Sequence, residues 1–249
     1  MTIIDIKNLT KTYGMGDVQV PALAGVSFTI GAAEYVSITG PSGSGKSTLM
    51  WLLPRLLDPP AGTVFLNGKD VRTLDLAELR SVFGIVAQET FLFSATISEN
   101  IAYAAQDATE ERIREMAEIS TISRDLELFP QGIDTQVGER GVSLSGGQKQ
   151  RIDISRVLAT DPEILLFDDA LSAVDTESEE TILRRLEEQR KHKTNILVSH
   201  RVSTLQFADE ILVLDQGHVI QQGSPESLAK AEGLYRRIAA LQSMERRVS

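Results

Sequence analysis

The stretch GPSGSGKST at residues 40–48 decides the fold class of this 249-residue chain. It matches the pattern G-x-x-x-x-G-K-[ST], it follows the predicted strand EYVSIT at residues 34–39, and a segment of helical character comes after it. In such a loop the glycines let backbone N–H groups converge on phosphate oxygens, and the following helix adds the positive end of its dipole. The alternative is a Gly/Ser loop with an incidental lysine, but the order strand, loop, helix favours a phosphate-binding loop.

The residue types in this loop predict a nucleotide and a metal ion. Lys46 can reach the β and γ phosphates, and Ser47 can place its hydroxyl on Mg²⁺. We therefore expect ATP to be held by Gly40, Ser42, Gly43, Ser44, Gly45, Lys46, Ser47 and Thr48.

The composition limits the classes of function. Lys and Arg number 25 against 35 Asp and Glu, so the formal charge is −10, which disfavours non-specific binding of nucleic acid. The absence of cysteine excludes disulfides, thiolate metal sites and cysteine nucleophiles. No run approaches the roughly 18 apolar residues of a membrane span, and the N-terminus lacks the apolar region of a signal peptide. We expect a soluble chain that works at a membrane only through a partner.

Short apolar runs alternate with helical patterns along the chain, which predicts an α/β sheet. Apolar residues alternate at residues 3–9 and 26–30, and Asn67-Gly68 is a hairpin-type turn, so the first third is expected to hold antiparallel strands. The segment at residues 107–128 is charged and helically periodic. A helix is also expected to begin at Ser145.

A second candidate site follows the apolar run ILLF at residues 164–167, which predicts a strand buried on both faces. Asp168 comes directly after this run. A carboxylate at the end of a buried parallel strand lies at the sheet edge where ligands bind, so we expect Asp168 to hold Mg²⁺ through water. An ordinary core strand with a capping Asp is the alternative.

The stretch LSGGQ at residues 144–148, followed by KQR, resembles the signature of ATP-binding cassette (ABC) proteins. The resemblance covers essentially the whole chain. It implies a P-loop NTPase (RecA-like) core with an N-terminal antiparallel β subdomain and an inserted helical subdomain. We expect one domain over residues 1–249, with the core and β subdomain at 1–88 and 159–249 and the helical subdomain at 89–158.

The same resemblance implies roles for residues outside the loop. Tyr13 matches the aromatic residue that stacks on adenine, Gln88 the glutamine that contacts Mg²⁺ and water, and His200 the switch histidine that contacts the γ-phosphate. Each has a plain alternative: a strand-end aromatic, a polar strand cap and a surface histidine. The metal ligands implied are Ser47, Gln88 and Asp168, and the catalytic residues implied are Asp169, His200, Gln88 and Lys46.

The family also implies a partner domain. Two such domains pair head to tail, so that each ATP lies between one phosphate-binding loop and the partner's signature. A helix that starts with Ser145 and two glycines can bind an anion. Because the loop at residues 40–48 already binds phosphate in this chain, a second phosphate site is useful only to another chain. The residues expected to act across the dimer are Ser145, Gly146, Gly147, Gln148 and Asp175, the last within SAVD at residues 172–175.

Asp169 is the departure from the family pattern. Members with full hydrolytic power carry Glu directly after the Asp that holds the metal, as the general base. Asp is one methylene shorter, so its carboxylate would stop roughly 1 Å or more short of the attacking water, and a misplacement of that order can cost about 10²-fold in rate. An Asp at this position resembles the degenerate half of heterodimeric exporters, in which one composite nucleotide site hydrolyses ATP poorly. The alternative function is a nucleotide-gated dimerisation module with negligible turnover.

Three segments resemble the corresponding segments of ABC exporters: residues 91–101, 135–141 and 199–204. The first fifty residues look more like the macrolide-exporter and lipoprotein-release ATPases, so a mosaic or engineered chain is an alternative. We expect transmembrane domains as partners, at the inner face of the membrane. Phe91 and Phe93 are expected either to contact those domains or to lie in the core.

Overall fold

The computed structural model describes residues 1–16, 18–138 and 141–248, and of Met15 and residues 245–248 it describes the backbone alone. Glu139 and Arg140, in the exporter-like segment at residues 135–141, lie outside the described residues. The chain divides into two compact units, residues 1–83 with 192–249 (unit 1) and residues 84–191 (unit 2).

Strands dominate unit 1. Its elements are β1 (Thr2–Met15), β2 (Val18–Gly31), β3 (Tyr35–Thr39), α1 (Lys46–Leu52), β4 (Val64–Leu66), β5 (Lys69–Asp70), α2 (Leu76–Ser81), β8 (Thr194–Val198), α8 (Val202–Leu205), β9 (Glu210–Asp215), β10 (His218–Gly223), α9 (Pro225–Lys230) and α10 (Leu234–Val248).

Unit 2 is mainly helical. Its elements are β6 (Phe83–Val86), whose first residue belongs to unit 1, α3 (Ile97–Ala102), α4 (Glu110–Ile119), α5 (Ser123–Leu126), α6 (Gly146–Ala159), β7 (Ile164–Asp168) and α7 (Thr176–Gln189).

The antiparallel sheet of unit 1 has the order β2-β1-β4-β5, as the sequence predicts for the first third of the chain. The hairpin of β1 and β2 is longer than the apolar alternation indicates, since pairing runs from Thr2 opposite Gly31 to Met15 opposite Val18. Register shifts interrupt this pairing, so the side-chain alternation is lost although the strands continue. Asn67 (φ 50°) and Gly68 (φ 76°) both take positive φ between β4 and β5, as a type I′ turn requires.

A mainly parallel sheet, in which β10 of unit 1 runs antiparallel to its neighbour β9, carries the loop at residues 40–45. In unit 1 the strand order is β10-β9-β3-β8, and β3 runs parallel to both β8 and β9. Every residue of β3 is buried, and so is every residue of β8. The loop leaves the carboxyl end of β3, and His200 follows the carboxyl end of β8.

The core of unit 2 lies between its helices and around β7. The strand β7 is buried along its whole length, as its apolar sequence predicts, and β6 is the adjacent strand. The helix α6 packs against α3 and α4. The predicted helical insert at 89–158 lies within this unit, which also contains β7 and α7, and the limits of that insert stay a prediction.

The described part of the chain contains no helix that combines the length and the apolar character of a membrane span.

Candidate nucleotide-binding and signature sites

The loop between β3 and α1 has a backbone that requires glycine. Gly45 takes φ 102° directly before α1, and a Cβ at this position would overlap the carbonyl of Ala22. The Ser44 N–H donates to the Pro41 carbonyl at 3.2 Å, and the Ser44 carbonyl accepts from Gly217 N–H at 3.2 Å. The loop is therefore closed on itself and tied to the turn between β9 and β10.

The ammonium group of Lys46 is held inside this loop. Its Nζ donates to the carbonyls of Gly40 and Pro41, each at 2.8 Å, and lies 3.3 Å from Ser44 Oγ. A positive charge is thereby fixed at the start of α1, beside the hydroxyl-bearing Ser47 and Thr48. This arrangement suits the β and γ phosphates of a nucleotide.

Tyr13 lies against the same helix. Its hydroxyl is 3.3 Å from Thr48 Oγ1, and Lys11 Nζ lies 5.8 Å from the centre of its ring. The side chain is half-buried near the end of β1. The structure thus brings Tyr13 to the first turn of α1 from a position more than thirty residues away in the sequence.

His200 also belongs to unit 1. It is exposed, two residues after β8, and one residue separates it from α8. The Arg201 N–H donates to Ser199 Oγ at 3.0 Å, which fixes the backbone just after the histidine.

The signature forms the N-terminus of α6 in unit 2. Ser145 Oγ accepts from Gln148 N–H at 3.2 Å, and Gln148 Oε1 accepts from Ser145 N–H at 2.9 Å, so the two side chains form a capping box. Ser145 and Gly146 are exposed and Gly147 is half-buried. The helix therefore begins where the sequence predicts.

Asp125 on α5 fixes this helix start, a role that its sequence context does not indicate. Its carboxylate accepts from Gln148 Nε2 at 2.7 Å and pairs with Arg151 at 2.8 Å. The side chains of Asp125 and Arg151 are only 15% and 10% exposed, so this pair is well shielded from water. No local pattern around Asp125 marks it, because its partners are more than twenty residues away.

The signature helix is also tied to the segment SAVD at residues 172–175. Gln150 Oε1 accepts from Ala173 N–H at 2.9 Å, and Gln150 Nε2 lies 3.3 Å from Ser172 Oγ. Asp175 caps α7, and its pKa is held below the usual range mainly because its carboxylate accepts the Ser178 N–H, 2.9 Å away. The five residues predicted to act across the dimer are Ser145 to Gln148 and Asp175. They thus lie at the starts of α6 and α7, which are joined through the hydrogen bonds of Gln150.

The remaining predicted residues lie at strand ends of unit 2. Asp168 is buried at the end of β7, Asp169 is half-buried with φ 51°, and Gln88 is exposed two residues after β6. The described residues contain no cluster of three or more His, Cys, Asp or Glu that could hold a metal ion by itself. The hydroxyl of Ser47 in unit 1, and in unit 2 the amide oxygen of Gln88 and the carboxylate of Asp168, are nevertheless hard oxygen donors, the type of ligand that Mg²⁺ prefers.

A phosphate-binding loop at the end of a parallel strand, together with a capped signature helix, defines a P-loop nucleotide-binding domain. The ABC transporter family profile matches residues 23–172, so the chain belongs to the ABC transporter family. Over 240 residues it is 44% identical to the ATP-dependent lipid A-core flippase of Vibrio cholerae, a match that covers 96% of this chain and 41% of the flippase.

Two further similarities are with heavy-metal and Atm1-type exporters. The chain is 44% identical over 223 residues to the ATM1-type heavy metal exporter of Novosphingobium aromaticivorans, covering 90% of this chain and 37% of that exporter. A solved structure of a bacterial Atm1-family ABC exporter with ATP bound superimposes with a TM-score of 0.91 at 42% identity, covering 97% of this chain and 42% of that one. The chain therefore is an ABC ATP-binding domain of the exporter type, with the predicted fold, and spans about two fifths of these relatives.

These comparisons bear on the alternatives. The flippase match covers 96% of the chain and extends into the first fifty residues, so it does not require a mosaic origin. One of these relatives is named as an ATP-dependent flippase and another as an exporter, so a nucleotide-gated module with negligible turnover is not favoured.

Proposed function

We propose that this chain binds Mg-ATP, closes head to tail on a second ABC domain, and hydrolyses ATP slowly to power export through transmembrane partners. The observation that carries the proposal is the loop at residues 40–45, whose carbonyl groups hold the Lys46 ammonium at 2.8 Å.

Phosphoryl transfer depends mostly on positioning and electrostatic stabilisation, and the chain offers groups for both. Lys46 stabilises charge on the transferring phosphoryl group, His200 contacts the γ-phosphate, and Asp169 orients the attacking water. Ser47, Gln88 and Asp168 hold Mg²⁺, which when bound neutralises charge on the phosphate oxygens. Hydrolysis is expected to be slow because the Asp169 carboxylate is one methylene shorter than a Glu.

The signature supports a second ABC domain as partner. The 14-residue helix α6 begins at exposed Gly146, and its first amide groups carry the positive end of the helix dipole. Lys46 already provides a phosphate site in the same chain, so the signature completes the nucleotide site of another one. The partner is either an identical or a different ABC domain.

The aromatic residues after Gln88 support a contact with transmembrane domains. The Phe91 side chain is 68% exposed, and Phe93 stacks at 4.1 Å on Tyr103, itself 58% exposed. An exposed aromatic group of this kind is typical of a protein interaction surface. With such partners the domain would lie in the cytoplasm at the inner face of the membrane.

The proposal is tested first by ATP binding. Lys46→Ala removes the charge from the loop and is expected to abolish binding of Mg-ATP, whereas Lys69→Ala, at an exposed position of β5, leaves binding unchanged. Binding is measured by equilibrium titration with a fluorescent ATP analogue. Micromolar affinity retained in Lys46→Ala would refute the assignment of the loop.

Hydrolysis and dimerisation are tested together by the steady-state ATPase rate over a range of protein concentrations. A rate per chain that rises with concentration is expected if two copies close on each other. A flat background rate with ATP bound would show that this chain alone is not a working homodimer, and would direct the search to a different ABC domain as partner.

A further inference from the structure

The C-terminal helix α10 holds the backbone on either side of Arg201, the residue that directly follows His200. The Gln242 side chain donates from Nε2 to the His200 carbonyl at 2.6 Å and accepts at Oε1 from the Val202 N–H at 2.8 Å. These two bonds join positions forty residues apart in the sequence, within unit 1.

The second of these bonds, from the Val202 N–H to Gln242, supplies the N-terminal cap that α8 lacks. Within the described part of the chain, Arg201 stands at the N-cap position of α8 and makes no side-chain cap hydrogen bond. The N–H groups of the first helical turn have no acceptor inside the helix, and Val202 is the first residue of α8. Gln242 therefore replaces the missing cap from another element. The two bonds of Gln242 and the bond from the Arg201 N–H to Ser199 Oγ together fix the segment that carries His200 at three points.

The position of Gln242 is itself fixed by the start of α10. Tyr235 is 2% exposed, and its N–H donates to Gln221 Oε1 on β10 at 3.1 Å. Gln242 follows Tyr235 by seven residues, which is about two helical turns and returns to the same face of the helix. The buried ring thus holds the face of α10 that presents Gln242 to His200.

We propose that Gln242 is a positioning residue for ATP hydrolysis, which holds the His200 backbone so that the imidazole meets the γ-phosphate. This inference rests on the proposed function, in which His200 makes that contact. A side-chain amide suits the role because it offers a donor and an acceptor together, and the His200 carbonyl and the Val202 N–H need one of each.

Two substitutions separate this role from general damage. Gln242→Met keeps the length of the side chain but removes both hydrogen bonds, whereas Gln242→Glu keeps the acceptor for Val202 and loses the donor to His200. The matched control is Gln206→Met, at an exposed position of unit 1 beyond the last residue of α8. Each protein is assayed as the full chain, by ATPase kinetics and by amide hydrogen exchange at Val202.

We expect Gln242→Met to lower kcat about 10-fold and to change KM for ATP less than twofold, since displacements of about 1 Å reduce rates strongly while ATP is held by the loop at 40–48. Exchange of the Val202 amide should become at least 10-fold faster. Gln242→Glu should also lower kcat but keep the Val202 amide protected. Gln206→Met should match the wild type in kcat.

Three results would overturn the inference. A Val202 exchange rate in Gln242→Met equal to that of the wild type would show that the bond does not protect this amide. A kcat within twofold of the wild type, despite faster exchange, would show that the bond does not serve catalysis. Parallel losses of kcat and ATP affinity would indicate damage to the nucleotide site. Failure of the proposed function looks different, because the wild type would then turn over no faster than Lys46→Ala, and both proposals would fall.

Discussion

Asp153 makes the stability of this domain depend on pH. Its side chain lies on α6 and is 12% exposed, and it pairs with Arg156 at 2.8 Å, whose side chain is 11% exposed. Burial raises the pKa of Asp153 from 3.8 to about 6, although the neighbouring guanidinium acts in the opposite direction. The carboxylate is therefore less favourable in the folded protein than in the unfolded chain.

The magnitude follows from the change in pKa. Each pH unit is worth about 1.4 kcal/mol, so a rise from 3.8 to about 6 corresponds to up to about 3 kcal/mol. Between pH 4 and pH 6 the folded state binds more protons than the unfolded state. This contribution to stability is therefore fully present below about pH 4 and is lost as the pH rises through 6.

Asp153→Asn removes the ionisation and preserves the shape of the side chain. The amide oxygen can still accept from Arg156, which also donates to the carbonyls of Phe91 and Asn100 and to Asn100 Oδ1, at 2.8 to 2.9 Å. The guanidinium thus keeps its other acceptors. We expect the variant to be more stable than the wild type at pH 8, by up to about 3 kcal/mol.

The measurement is urea unfolding without nucleotide at pH 8.0 and pH 5.5. The gain from Asp153→Asn should be smaller at pH 5.5 by about 1 kcal/mol, because part of the wild-type carboxyl is then protonated. Asp107→Asn, at an exposed position, serves as the control and should change stability by less than about 0.5 kcal/mol at either pH. A variant less stable than the wild type at pH 8 would refute the reasoning, since the ion pair would then outweigh the cost of burial.

Two further predictions concern the nucleotide chemistry. Gly147→Ala would place a Cβ 2.7 Å from the Ala173 carbonyl and displace the signature from its neighbour. It should lower the concentration-dependent ATPase rate at least 10-fold and leave ATP binding to the single chain unchanged, and an unaltered rate would contradict this. Asp169→Glu extends the carboxylate by one methylene and should raise kcat up to about 10²-fold, measured in the same assay, whereas a lower kcat would show that reach is not what limits Asp169.

The sequence allowed the local structure of the loop at residues 40–48 and of the helix start at Ser145 to be predicted. The glycines and the lysine of residues 40–48 act within one loop, and the capping box of Ser145 and Gln148 spans a single helical turn. The buried strand β7 is visible as an apolar run. Each of these features depends on residues that are near neighbours in the chain, so its pattern can be read from one segment.

The supports of these sites could not be predicted in this way. Asp125 contacts Gln148 and Arg151 across more than twenty residues, and Gln242 contacts His200 across forty-two. These are single polar side chains on otherwise ordinary helices. Their partners are determined by the packing of helices and strands, which no periodic pattern in one sequence records.

Two constraints act on Asp169, the reach of its carboxylate and the conformation of its backbone, and the sequence shows only the first. From the sequence it is a short carboxylate in the place of a Glu. In the structure its backbone takes φ 51°, in the left-handed region where Asp and Asn are enriched because their short polar side chains can bond locally. For a longer side chain this conformation costs about 1–2 kcal/mol. The residue at this position therefore balances the reach of a base against backbone strain: the left-handed backbone favours Asp, whereas the shorter carboxylate lowers the expected rate of hydrolysis.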